Sequence, residues 1–165
     1  MSLLQQRSLP MHPLLLILDN IRSAYNVGSL FRTAETALVS EVITCGFTPH
    51  PPHDKLKKTA CRSIENVPSR HFDTTLEAVK KVKEEGFLVY AMETTSRSEC
   101  YAHVQFPEKV ALVLGRLFSL YSFIHTFIFS FISLAHYCAP SFSSFCLSEK
   151  GLGKGGSEGG RIHWN

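Results

Sequence analysis

"LILDNIRSAYNVGSLFRTAE", residues 16 to 35, is the stretch whose reading decides the fold. It opens inside a continuous apolar run, Leu14 to Leu18, of the kind a strand buried on both faces requires. "DNIRSAYN", Asp19 to Asn26, then predicts a polar loop. From there Val27, Leu30, Phe31, Ala34, Ala37 and Leu38 recur at helical spacing and lay an apolar stripe along one face. Asn26 is the expected N-cap of that helix. A buried strand feeding an amphipathic helix is the first half of a βαβ unit.

The same helix holds the residue type that suggests chemistry. Arg32 projects opposite Leu30, Phe31 and Ala34, with Gly28 and Thr36 one turn to either side of it on the outward face. A guanidinium beside bare backbone near a helix N-terminus suits a phosphate or another anion, because free N–H groups and the helix dipole point there. Its planar fork adds bidentate recognition. The competing reading is a capped surface helix whose Arg32 pairs with Glu35 or Thr36.

Outward from this unit the pattern continues. Glu41–Cys45 predicts a second strand ended by Gly46, and "TPHPPHD" (48–54) can only be a loop. Lys55 to Arg62 predicts a short helix. Thr74 and Glu77 form a capping-box pattern that opens a helix through Glu85, with Gly86 as its C′ residue. Phe87–Met92 and Lys109–Leu114 complete the strands. Strands alternating with helices give an α/β class with a mostly parallel, doubly wound sheet.

At 165 residues the length allows one domain with a sizeable core, and a formal charge of +3 is too mild to announce a nucleic-acid binder. Its distribution is more informative. Residues 1–116 hold fourteen Lys/Arg and twelve Asp/Glu, whereas 117–148 hold none of these and seven of the twelve Phe. The five Cys (45, 61, 100, 138, 146) show no C-x-x-C pairing and fit reduced thiols. Met1 to His12 lacks the apolar core of a secretory signal, so a cytoplasmic location is expected. His50 and His53 have no Cys or carboxylate partners at ligand spacing, and no metal is expected.

The stretch N-V-G-S-L-F-R-T-A, Asn26 to Ala34, resembles the first signature motif of the SpoU/TrmH family, SPOUT-superfamily RNA methyltransferases that use S-adenosylmethionine. The resemblance extends from about His12 to Gly115 through "ITCGFTPHPPHDKLKKTA" and "FPEKVALVLG". It implies a parallel α/β sheet whose C-terminal part is threaded into a trefoil knot, the seat of the cofactor and of much of a homodimer interface. It also implies methyl transfer to a ribose 2′-OH of tRNA or rRNA. By position, Asn26 and Arg32 are the catalytic-motif residues, and Gly115 is the glycine whose backbone meets the cofactor. Arg22 is a candidate RNA contact. The basic run Lys55, Lys57, Lys58, Arg62 and Arg70 is a candidate RNA patch whose alternative is a solvated helix face.

After "LVLG" the chain departs from that pattern. Leu117 stands where the family has Glu, and no later stretch resembles the third motif. The expectation is a SPOUT fold lacking its C-terminal knot, organised as an N-terminal extension (1–12), a SpoU-like part (13–116), an uncharged aromatic and Ser-rich segment (117–148) and a Gly-rich disordered tail (149–165). Residues 117–139 are long enough to span a bilayer, but their Ser and His content disfavours that reading. Thymine-rich codons for Phe, Ser, Leu and Ile favour a spliced or translated non-coding end. The alternative to the enzyme is therefore a truncated, non-catalytic RNA-binding fragment or a membrane-associated variant.

Overall fold

The computed structural model describes residues 11–92, 99–100, 103–115 and 146–149; the segment 117–145, the tail from 150 and the expectations placed on them lie outside it. Strand β1 (His12–Asp19) leads into helix α1 (Ala24–Thr36), strand β2 (Val39–Cys45), helices α2 (Asp54–Ala60) and α3 (Ser63–Asn66), and strand β3 (Ser69–Phe72). Helix α4 (Thr75–Glu84) and strands β4 (Leu88–Met92), β5 (Glu99–Cys100), β6 (Val110–Gly115) and β7 (Cys146–Glu149) follow. The sheet order is β3-β2-β1-β6-β4-β7-β5. The first five of these are mutually parallel. β7 runs antiparallel to β4 and to β5. That strand crosses the boundary between the expected 117–148 segment and the expected disordered tail, where no strand was anticipated.

β1 lies in the middle of the parallel set, which is why its apolar run is unbroken. Leu14, Leu16 and Leu18 point to a core shared with Val27, Leu30, Phe31 and Ala34 of α1 and Leu56 and Ala60 of α2. Leu15 and Ile17 point to the other face, where Ala78, Val79 and Val82 of α4 cover them. Leu16, Ile17 and Leu18 are fully buried. Burying one such side chain stabilises the fold by about 1.5–3 kcal/mol, so this strand alone anchors both layers.

Helix α1 begins one turn earlier than its apolar stripe. Its N-cap is Ser23, whose hydroxyl accepts the Asn26 N–H at 3.3 Å; Asn26 is inside the first turn and is not the cap. The polar loop thus shrinks to Asn20–Ser23. Hydrophobic spacing starts only at Val27 because Ala24, Tyr25 and Asn26 of the first turn are half-buried or exposed. The cap of α4 is as expected: Thr74 Oγ1 accepts the Glu77 N–H at 3.2 Å, and Gly86 takes φ +86° just past the helix end.

Candidate functional site

Parallel strands deliver their loops to one edge. At that edge Asp19, the last residue of β1, lies in register with Gly115, the last of β6. β2 and β3 extend the sheet on one side of this pair and β4 on the other. Such a divergence leaves a crevice outside the carboxyl ends of the strands, where open α/β sheets bind ligands. The Asp19 carboxylate accepts hydrogen bonds from Asn20 Nδ2 at 2.8 Å and from Thr75 Oγ1 at the head of α4. A Cβ placed on Gly115 would stand 3.7 Å from Asp19 Oδ2, an ordinary contact. Packing among the described residues does not demand glycine at 115. Burial pushes the neighbouring Cys45 thiol up to about 12, with Thr75 opposing the rise and Asp19 adding to it.

The loops after β1 and β2 are locked together. The buried Thr48 hydroxyl accepts the Ile21 N–H at 3.0 Å and lies within donating distance of the carbonyls of Leu18 and Cys45. Asn20 receives the Phe47 N–H on Oδ1 at 3.4 Å and gives its own N–H to Cys45 O at 3.4 Å. Gly46 sits at φ +61°, and a Cβ there would fall 2.2 Å from Asn20 Oδ1. Both the backbone angle and the close approach require glycine. On this platform Arg22 holds its guanidinium carbon 5.4 Å from the centre of the Phe47 ring.

On α1, Arg32 is exposed, as expected, and makes no ion pair among the described residues. The partners proposed for it are otherwise engaged. Glu35 accepts from Ser63 Oγ and Asn66 Nδ2, tying α3 to α1. Thr36 Oγ1 donates to the Arg32 carbonyl at 3.0 Å, not to its side chain. Asn26 is half-buried, and its side-chain amide has no hydrogen bond among the described residues.

Gly28 is not the bare outward patch that the helical wheel suggested. It is buried, and a Cβ on it would come within 2.1 Å of Thr59 Oγ1, 2.7 Å of Thr59 Cβ and 2.9 Å of the Ala60 nitrogen. The glycine is a contact point between α1 and α2, and the anion site beside Arg32 loses that part of its floor. Hydrophobic spacing missed this because a helix packed on two flanks shows only its apolar flank in the pattern.

The basic candidates divide. Lys55, Lys57, Lys58 and Arg62 are exposed and make no ion pair among the described residues. Arg70 leaves the patch: it is clamped to Glu41 at 2.7 Å and Glu85 at 2.8 Å. The short helix expected over 55–62 is α2, which ends at Ala60; Cys61, at φ +55°, turns the chain before α3 begins at Ser63. His53 caps α2 by accepting the Leu56 N–H, and His50 stacks on His71 at 3.8 Å. No cluster of three metal-binding side chains exists among the described residues. No helix among them is long and apolar enough to cross a membrane.

Sequence reasoning passed over Asp19, Thr75, Thr48 and Phe47 as functional candidates. Of these only Phe47 left a signal, a large aromatic set between Gly46 and a proline-rich loop where no core is at hand.

Comparison with known proteins identifies the family and the fold. The sequence pattern of the SpoU rRNA Methylase family matches residues 13–116. A Staphylococcus aureus (strain COL) protein assigned to the TrmH family of tRNA/rRNA methyltransferases is 27% identical over 100 residues, covering 61% of this chain. The chain spans 40% of that relative's length. The AdoMet-bound rRNA methyltransferase from Sinorhizobium meliloti superposes with a TM-score of 0.57 at 22% identity, over 67% of this chain and 44% of that one. An RNA 2′-O ribose methyltransferase does so with a TM-score of 0.54 at 18% identity, over 66% and 42%. These structures share the parallel α/β fold. The family pattern takes in β1, the Arg32 helix and Gly115 together, and by it the chain belongs to the SpoU rRNA methylase family.

Proposed function

We propose that these residues form the arginine side of an S-adenosylmethionine-dependent RNA ribose 2′-O-methyltransferase site, acting on tRNA or rRNA. The observation that carries the reading is the uncommitted Arg32 on α1, whose neighbour Glu35 is bound to α3 instead. The resemblance assigns the strand end at Gly115, in register with Asp19, to the cofactor. When bound, S-adenosylmethionine supplies a methyl group made electrophilic by its sulfonium. A ribose 2′-OH must lose its proton as it attacks, and that proton passes to solvent water, since a guanidinium, protonated throughout the neutral range, is a poor base. Arg32 instead holds the adjacent phosphate and stabilises the developing alkoxide. The Asn26 amide, about 1.7 turns nearer the start of α1, orients the ribose. Lys55, Lys57, Lys58, Arg62 and Arg22 draw the RNA backbone toward the site. A homodimer and a cytoplasmic location go with this reading.

The test is methyl transfer from tritiated S-adenosylmethionine to unmodified tRNA and rRNA transcripts, with a parallel calorimetric titration of the cofactor. Micromolar cofactor affinity and transfer abolished in Arg32→Ala but partly kept in Arg32→Lys are expected. A basic-limb ionisation that disappears only when Arg32 is replaced would refute the electrostatic role. Leu117, standing where the family has Glu, favours a second reading, RNA binding without methyl transfer. RNA affinity with no measurable cofactor binding is its signature.

A further inference from the structure

Phe47 is a large apolar ring left 52% exposed at the edge of the sheet where ligands gather. The loops on either side of it are joined by hydrogen bonds. Thr48, next to it, is only 1% exposed and joins the β1 and β2 loops through its hydroxyl. Asn20 fixes the Phe47 backbone directly. The guanidinium of Arg22 stands over the ring and is itself exposed. A flat apolar face and a planar cation are thus assembled before any ligand arrives.

We propose that Phe47 and Arg22 form a preorganised platform on which one unpaired nucleobase of the substrate RNA stacks. This rests on the RNA-methyltransferase reading and sharpens its substrate class to a single-stranded or looped segment. The chemistry favours a nucleotide over other occupants. A base offers a π face for the ring and guanidinium, and its phosphate offers the charge that Arg22 attracts. A duplex hides its base faces except at the ends, so it gains only the phosphate contacts. Because the loops are already locked, stacking orders little of the protein, and the contact counts fully toward affinity.

The experiment is fluorescence anisotropy at fixed ionic strength with two probes, a labelled mixed-sequence single-stranded RNA 15-mer and the blunt duplex of the same sequence. Phe47→Ala is expected to weaken single-strand binding about tenfold, or more, while changing duplex binding less than about twofold. Phe47→Trp keeps a stacking surface; it should retain affinity, and its added indole fluorescence should be quenched by the single strand. Arg22→Lys keeps the charge but loses the plane and should fall between. Equal losses on both probes, single-strand affinity unchanged in Phe47→Ala, or no binding of either probe by the unmodified chain would each overturn the proposal. Cofactor titration is read separately: if it fails while the Phe47 effect on single strands persists, the methyltransferase reading falls and the platform stands.

Discussion

Replacing Gly28 with alanine puts a methyl group where Thr59 already stands. Gly28 is in the interior of α1, and on an exposed helix the change would stabilise by about 1 kcal/mol through helix propensity. Here three atoms lie within 3.0 Å of the new Cβ: Thr59 Oγ1 at 2.1 Å, Thr59 Cβ at 2.7 Å and the Ala60 nitrogen at 2.9 Å. The hydroxyl could swing away, at the loss of its 3.2 Å contact with the Ala24 carbonyl. The Cβ and the backbone nitrogen cannot move without shifting α2 as a body. Overpacking of this kind costs about 1–3 kcal/mol, and two immovable contacts place it at the upper end. A net destabilisation of about 2 kcal/mol is expected after the propensity gain. Urea titration followed by circular dichroism measures it, with Thr59→Ala and the double variant completing a cycle. Thr59→Ala should rescue Gly28→Ala only in part, since it removes the hydroxyl contact while the Cβ of residue 59 and Ala60 N remain in place. The shift also displaces Lys55, Lys57 and Lys58, so RNA affinity should fall alongside stability. A Gly28→Ala chain stabilised by about 1 kcal/mol would show that the helices do not approach there, and the argument would fail.

Glu35→Ala should destabilise by about 2 kcal/mol, because it strips a charged acceptor from the buried Ser63 hydroxyl and from Asn66; an unchanged urea midpoint would refute the α1–α3 tie. Burial and then the stacked His50 hold the His71 pKa below 6.5, so the unfolded chain binds a proton that the native one refuses. Stability should therefore fall as pH drops below about 6.5 and level off beneath the native pKa, a step that His71→Asn removes. The Arg70 hydrogen bond holds Glu85 below 4.5, and its contribution should be lost at lower pH still, as the native carboxylate protonates. Iodoacetamide at pH 8 with peptide mapping should modify exposed Cys61 and leave Cys45 unmodified until the protein unfolds; native labelling of Cys45 would refute its burial.

Much of this architecture is legible in one dimension because its signals are local or periodic. The run at Leu14–Leu18 announces a strand with a layer on each face, and the structure supplies α1 on one and α4 on the other. Thr74, Glu77 and Gly86 fix both ends of α4 by contacts within a few residues. Arg32 falls on the open side of its helix for the same periodic reason. Where a choice spans one turn, local rules leave it undecided: Ser23 and Asn26 are both good caps, and the folded helix uses Ser23.

The site shows the same division more sharply. That Arg32 and four further basic residues face solvent follows from helical phase and charge, as does the buried strand that carries Gly115 to its place. That Glu35 turns to α3 and leaves Arg32 unpaired depends on partners 28 and 31 residues away. Gly28's role is set by Thr59 in another helix, Arg70's removal from the basic patch by Glu41 and Glu85, and Phe47's rigid exposure by Asn20 and Thr48 across two loops. By itself the sequence determined the apolar strands β1, β2, β4 and β6 and the helices α1, α2 and α4, since periodicity and hydrophobicity act along the chain. It did not mark the short elements β3, β5, β7 and α3. The tertiary structure decided which charges remain free and which small or aromatic residues meet, because those outcomes depend on strand order and loop closure that no local pattern encodes.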